Sequence, residues 1–189
     1  MGTPSLSSRV RDPARCRAGR AAMSQAPSLR SLLDELGYSL DPEGAGTIER
    51  WTDVLREFAP KPRPAALDTF PAPGRDVVVF RTLPFYSLCV HHLLPFLGSA
   101  DIAYQPAELH GRIAGLGSIA LSLRHFSRQP QLQERLGAQL ADYLHDELRG
   151  PVAVRLRARQ MCMEMRGAES TGSIETIALR GGATRSLLD

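Results

Sequence analysis

No apolar run in the 189-residue chain approaches the roughly 18 residues that a bilayer span needs, so no membrane segment is expected. Cysteine is scarce: there are three, an odd number, and Cys16 falls in a stretch with little capacity to fold. That supply excludes a disulfide framework and suits a reduced, cytoplasmic protein that uses two thiols for a metal. Basic charge is also missing where a nucleic-acid surface would require it. Of the net charge of +3, residues 1–26 hold five arginines against one acid, which leaves residues 27–189 at −1. A phosphate-tracking surface needs its cations on the folded domain, so nucleic acid is set aside as a partner. No internal repeat stands out. What is present is ordinary for a globular chain, 43% hydrophobic and 23% charged, at a length that fits one domain plus trailing sequence.

Residues 1–26 are rich in Arg, Ser, Ala, Pro and Gly and show no apolar periodicity, so they cannot bury enough surface to offset chain entropy. They lack both the amphipathic pattern of a transit peptide and the apolar stretch of a secretion signal. The expectation is a disordered tail, or an extension upstream of a start at Met23. Residues 27–73 read as an N-terminal helical arm. It has a short helix from Leu29 to Leu36, a loop from Asp41 to Gly46, and a helix from Ile48 to Phe58 capped by Thr47, with Trp51, Val54, Leu55 and Phe58 on one face. Pro60, Pro62, Pro64, Pro71 and Pro73 then mark a linker that closes at Gly74.

Residues 74–189 read as a further domain. Val77 to Phe80 predicts a strand and Phe96 to Tyr104 a second. A helix over Leu116 to Ser127 follows, then one after Pro130 that carries Leu132, Leu136, Leu140, Leu144 and Leu148 at a spacing of four. Val152, Val154, Leu156 and Ala158 alternate with Ala153, Arg155, Arg157 and Arg159 in a third strand, and Ser173 to Leu179 makes a fourth. The order β-β-α-α-β-β predicts an α+β fold, a four-stranded antiparallel sheet with two helices on one face.

Chemistry concentrates between the first two strands. Cys89 and His92 stand three residues apart, and Cys162 lies at the end of the third strand. Two sulfurs and an imidazole suit zinc, and three protein ligands leave a fourth position open, as in catalytic sites. From spacing alone, two buried thiols and two turn histidines account for the pattern equally well.

The context tips that balance. Cys89-Val90-His91-His92-Leu93-Leu94-Pro95-Phe96-Leu97-Gly98, then Ile102 to Pro106, Gly115-Leu116, Gln131 to Leu136, Met161-Cys162-Met163 and Arg166-Gly167 resemble GTP cyclohydrolase I in order and spacing over about residues 75–182. Asp41 to Leu55 matches that family's N-terminal helix more weakly. The resemblance implies the tunnelling fold (T-fold), in which sheets of several subunits of a homo-oligomer close a barrel with active sites between subunits. It implies Zn2+ on Cys89, His92 and Cys162, and hydrolytic opening of the guanine imidazole ring of GTP towards dihydroneopterin triphosphate, the entry to pterin and tetrahydrofolate biosynthesis. By the same resemblance His91 shuttles protons, Glu134 reads guanine with Gln133 beside it in the pocket, and Arg166 binds phosphate.

Several positions depart from the family. Gln160 stands where it has a second catalytic histidine, and an amide carries no proton at neutral pH. Gly117 replaces a serine, Leu121 a phosphate-binding arginine, Asp53 (in a looser alignment) a lysine, and Val90 a glutamate. Two further possibilities therefore stay open: a divergent paralogue that stops at ring opening or takes a less phosphorylated purine or pterin, and a non-catalytic subunit that binds zinc and a pterin. Arg155, Arg157 and Arg159 are expected to be solvated or to pair with acids at a subunit interface, with a relocated anion site as the alternative. His110, His125 and His145 are read as surface or packing residues. The chain after Gly182 lacks most of the helix usual in the family, so a different ring size is an expectation.

Overall fold

The computed structural model describes residues 28–38, 44–107 and 111–189. The tail at 1–26 with Cys16 and Met23, Asp41, and His110 lie outside the described residues. The chain divides into two compact units, 1–53 and 54–189. In the first, α1 spans Leu29–Glu35 and is capped by the Ser28 hydroxyl, which accepts from the Ser31 amide at 3.1 Å. The second helix, α2 (Thr47–Glu57), runs across the boundary. Thr47, expected as its cap, is its first residue, and its hydroxyl accepts from the Arg50 guanidinium at 3.2 Å.

The Pro-rich stretch belongs to the second unit. Leu67 is buried in that unit's core, the Tyr143 hydroxyl donates to Ala65 O at 2.6 Å, and β1 (Thr69–Pro71) pairs antiparallel with β4 (Arg112–Ala114). The main sheet takes the order β5-β2-β3-β6-β7, from β2 (Val78–Cys89), β3 (Pro95–Tyr104), β5 (Pro130–Gln131), β6 (Val152–Gln160) and β7 (Ile174–Arg180). Four of these strands form the expected antiparallel array. The fifth, β5, is two residues long and runs parallel to β2, with Leu88 opposite Pro130 and Cys89 opposite Gln131.

The first strand is far longer than Val77 to Phe80 suggests. A bulge between Phe80 and Leu83, with Thr82 at φ 52°, shifts the register and hides the continuation from any reading by alternation. The Asp101 carboxylate accepts from the Thr82 amide at 2.9 Å and so satisfies the bulge.

Helices α3 (Leu116–Ser127) and α4 (Gln133–Leu148) cover one face of the sheet. Leu136, Leu140, Leu144 and Leu148 are fully buried against Val152, Val154 and Leu156 of β6, as the spacing of four predicts. Leu132, assigned to the same stripe, is instead the residue that caps α4, and it stays partly exposed. Phe85 and Phe96 close the core in an edge-to-face pair, centroids 6.0 Å apart. Gly98 lets β3 and β6 approach: a Cβ there would lie 1.9 Å from Arg157 O. After β6 comes one turn of helix, α5 (Met161–Glu164). A 3-10 turn, Arg185–Leu188, then buries Leu188 against Ala103 and Ala153 on the helix-free face.

Candidate metal centre

Cys89 ends β2, where the chain reverses into β3. The Cys89 amide donates to Leu94 O at 2.8 Å, and Cys89 O accepts from the Leu93 and His92 amides at 2.8 and 3.3 Å. Leu93 sits at φ 53°, which tightens the turn enough to bring His92 Nδ1 to 3.9 Å from Cys89 Sγ. Cys162 arrives from the far end of β6 on α5. That helix is held to its strand by Arg159, whose guanidinium grips both Glu164 oxygens, with Nε to Oε1 at 3.0 Å.

The ligand atoms of Cys89, His92 and Cys162 all lie within 4.8 Å of one another. Tetrahedral zinc would set a sulfur and a nitrogen ligand about 3.6 Å apart, so the 3.9 Å pair needs only a small contraction. Burial pushes the Cys162 thiol up, the adjacent Cys89 thiol pushes it further, and Arg166 offsets part of this. A cation between the thiols reverses that balance, because it favours both thiolates. The donor set fits a divalent metal.

His91 projects into solvent beside His92, ring centroids 6.2 Å apart. Arg166, on a loop that turns through Gly167 at φ 66°, places its guanidinium 2.8 Å from His92 Nε2. A cleft of about 210 Å³ opens beside Cys162, lined also by Gln131, Gln133, Glu134, Gln160, Met163 and Ile174. At ~30 Å³ per water it holds about seven waters, the scale of one heterocyclic ring system. Glu134 lies in the first turn of α4, where the helix dipole favours a carboxylate. Gln133 is buried, and its amide partners lie within the protein: Leu156 O, Ile174 O and Thr176 Oγ1 accept from Nε2, and Oε1 accepts from Gln160 Nε2 at 2.8 Å.

The structure therefore gathers Gln133, Glu134, Gln160 and Cys162 on one cleft, and His91 and Arg166 around His92. Reading by sequence placed Gln131 in the matched segment and gave it no role. It is buried in β5, donates to Phe126 O and Gln139 Oε1 at 3.0 and 2.8 Å, and accepts from Arg135 Nε at 2.7 Å. Its backbone carbonyl accepts from the Val90 amide at 3.0 Å, so β5 carries the start of α4 to the cysteine turn. A buried polar residue inside a Pro-Gln-Leu-Gln-Glu run was the available signal.

The arginine stripe pairs within its own chain. Arg157 meets Asp101 and Glu175 at 3.0 and 2.9 Å, and Arg155 meets Asp101, Asp189 and Glu175 at 3.6, 3.4 and 3.8 Å. His145 bonds Gly150 O at 2.8 Å and His125 packs on Phe126, as packing residues do. A separate concavity of about 360 Å³ is formed by Asp68, Thr69, Phe70, Gly115, Gly117, Ser118 and Leu121, with Asp68 its one charged residue. No helix among the described residues is long and apolar enough to cross a membrane.

The sequence profile of the GTP cyclohydrolase I family matches residues 27–186. The chain is 35% identical over 166 residues to GTP cyclohydrolase 1 of Dehalococcoides mccartyi, covering 84% of this chain and 87% of that one. To the Corynebacterium glutamicum protein of the same name it is 37% identical over 164 residues, 82% of each. A Streptococcus agalactiae counterpart is 43% identical over 159 residues, 80% of this chain and 84% of its own. Among solved structures, the apo form of the archaeosine synthase QueF-Like superposes with a TM-score of 0.44 at 15% identity, over 57% of this chain and 96% of that one. That likeness is too distant to carry a conclusion.

Proposed function

The chain belongs to the GTP cyclohydrolase I family, and on that premise we propose that it opens the imidazole ring of GTP at a zinc site built from Cys89, His92 and Cys162. One observation carries the assignment: Cys162 is shared between the three-ligand cluster and a cleft bearing Glu134 and Gln160. Zinc bound there would supply water acidic enough to hydrolyse near neutral pH. The chain's own side chains do the rest. Glu134, acceptor-only when ionised, takes hydrogen bonds from guanine N1–H and the 2-amino group together. His91, exposed beside His92, exchanges protons with solvent and substrate. Arg166, 2.8 Å from His92, is within reach of a phosphate oxygen brought to the cleft mouth. Gln133 serves the pocket from behind.

Exposed apolar side chains support a homo-oligomer with active sites between subunits. Leu116 is 72% exposed and Leu121 63%, on the helix that borders the 360 Å³ concavity. Two reduced thiols serving as metal ligands would suit a cytoplasmic location.

The composition of that concavity favours a second reading. With Leu121 and Asp68 it offers a polyphosphate no cation, those nearby being Lys61, Arg124 and Arg128 of the concavity across Leu121; a less phosphorylated guanine compound or pterin, or a reaction that ends at ring opening, needs none. Two measurements separate these. Zinc-loaded protein incubated with GTP should yield a fluorescent neopterin after oxidation, and no formate or pterin from any guanine nucleotide would remove the cyclohydrolase reading. Comparing thermal stabilisation by GTP, GMP, guanosine and pterin identifies the preferred ligand, and a larger shift with GMP or guanosine than with GTP selects the second reading.

A further inference from the structure

The polarity of one amide in the cleft is dictated from outside it. Gln133 Nε2 donates to the backbone carbonyls of Leu156 at 3.1 Å and Ile174 at 2.9 Å. Turned the other way, the amide would press its own oxygen against two carbonyl oxygens, so β6 and β7 decide which end faces them. Gln133 Oε1 must then face Gln160, which meets it with Nε2 at 2.8 Å. Gln160 thus has its nitrogen engaged, and no hydrogen bond from the described residues reaches its oxygen. Gln160 lines the cleft.

We infer that Gln160 presents a fixed hydrogen-bond acceptor to the ligand and selects an N–H donor on the imidazole edge of a purine, with Gln133 as the positioning residue that sets its polarity. The inference rests on the guanine reading above. Glu134, Gln160 and, two residues on, Cys162 line the same cleft, and a guanine held by Glu134 at its pyrimidine edge would bring its imidazole edge to Gln160 and Cys162. Intact guanine offers the N7 lone pair there, which meets another acceptor. Ring opening changes this. Water adds across C8=N7, leaving hydroxyl on C8 and hydrogen on N7. Cleavage of C8–N9 then passes the hydroxyl proton to N9, and a formamide N7–H remains. Gln160 accepts from that N7–H, so its contact strengthens as the ring is hydrated and is repulsive before. A histidine ring nitrogen at the same place can serve as either donor or acceptor; the amide oxygen that the lock turns to the cleft only accepts.

The test uses the full chain without added metal, so that neither nucleotide is consumed. Calorimetry compares GTP with 8-oxo-GTP, whose N7 carries hydrogen. Wild type should prefer the N7–H nucleotide about tenfold. In Q160L the preference should fall to within about twofold. Q133L lets Gln160 turn and should lose the preference too, while Q133L/Q160L should be no worse than Q160L, the non-additivity expected of residues that act as one unit. Side-chain amide exchange by NMR on the wild type reads the lock without any ligand and whether or not Q133L folds. Both Gln133 amide protons and one of Gln160 should exchange slowly. Fast exchange at Gln133 overturns the lock, and an unchanged preference in Q160L overturns the selection. If wild type binds neither nucleotide, the guanine reading fails and takes the selection with it.

Discussion

Cys162 and Asp101 place opposite demands on their surroundings. The Cys162 thiol, raised by burial and by Cys89, keeps its proton at neutral pH in the metal-free chain, so zinc must displace it. Apparent zinc affinity should therefore rise with pH, about tenfold per unit for each proton displaced, and loading at neutral pH should release protons into a weakly buffered solution. An affinity that does not change with pH contradicts the assignment of Cys162 as ligand. Asp101, with its side chain 5% exposed, answers Arg155, Arg157 and the Thr82 amide together. Arg155 is itself buried, and its Nε, 3.8 Å from Glu175, has no hydrogen-bond partner. D101A leaves that guanidinium short of its countercharge and should cost about 3–5 kcal/mol in urea unfolding. A loss no larger than that of an exposed acid, such as Asp146, contradicts the role. The alternation of Arg155, Arg157 and Arg159 was plain in the sequence; the partners of Arg155 and Arg157 were not, because Asp101, Glu175 and Asp189 reach them only through strand pairing and the final turn.

At the level of elements, α4 was legible because four leucines at a spacing of four have one physical explanation, a buried stripe. L140A should cost about 2–5 kcal/mol, since Leu140 is fully buried and its site is walled by strands that cannot collapse inward. A cost below 1 kcal/mol, measured by denaturant midpoint, would mean that the helix does not pack as described. Strand β2 was legible only to Phe80, because the bulge at Thr82 and Pro84 interrupt any simple alternation. Strand β5 was not legible at all. Two residues leave no period to detect, and one of them is proline, tolerated because β5 is an edge strand. Yet this pairing holds Gln131 against Cys89 and so delivers Gln133 and Glu134 to the cleft. The cysteine-histidine set was legible from residue types and context, whereas the Gln133–Gln160 contact required the fold.

For the whole molecule, the exposed leucines of α3 become an expectation about assembly. L116E should shift the protein towards smaller species in sedimentation while leaving the far-ultraviolet circular dichroism unchanged, because Leu116 is 72% exposed and contributes little to the fold of its own chain. An unaltered sedimentation profile would place subunit contacts elsewhere. The concavities differ in chemistry. One is lined by Cys162 with Glu134 and Gln160, one has Asp68 as its single charged residue, and Leu121 also borders a third, lined by Lys61, Arg124 and Arg128.

Formate released per GTP consumed, measured alongside bound zinc in wild type and C162S, tests the central claim most directly. The prediction is about one zinc per chain and one formate per GTP in wild type, with both lost in C162S. A wild-type protein holding stoichiometric zinc that releases no formate, or a C162S protein that retains zinc and turnover, would contradict it.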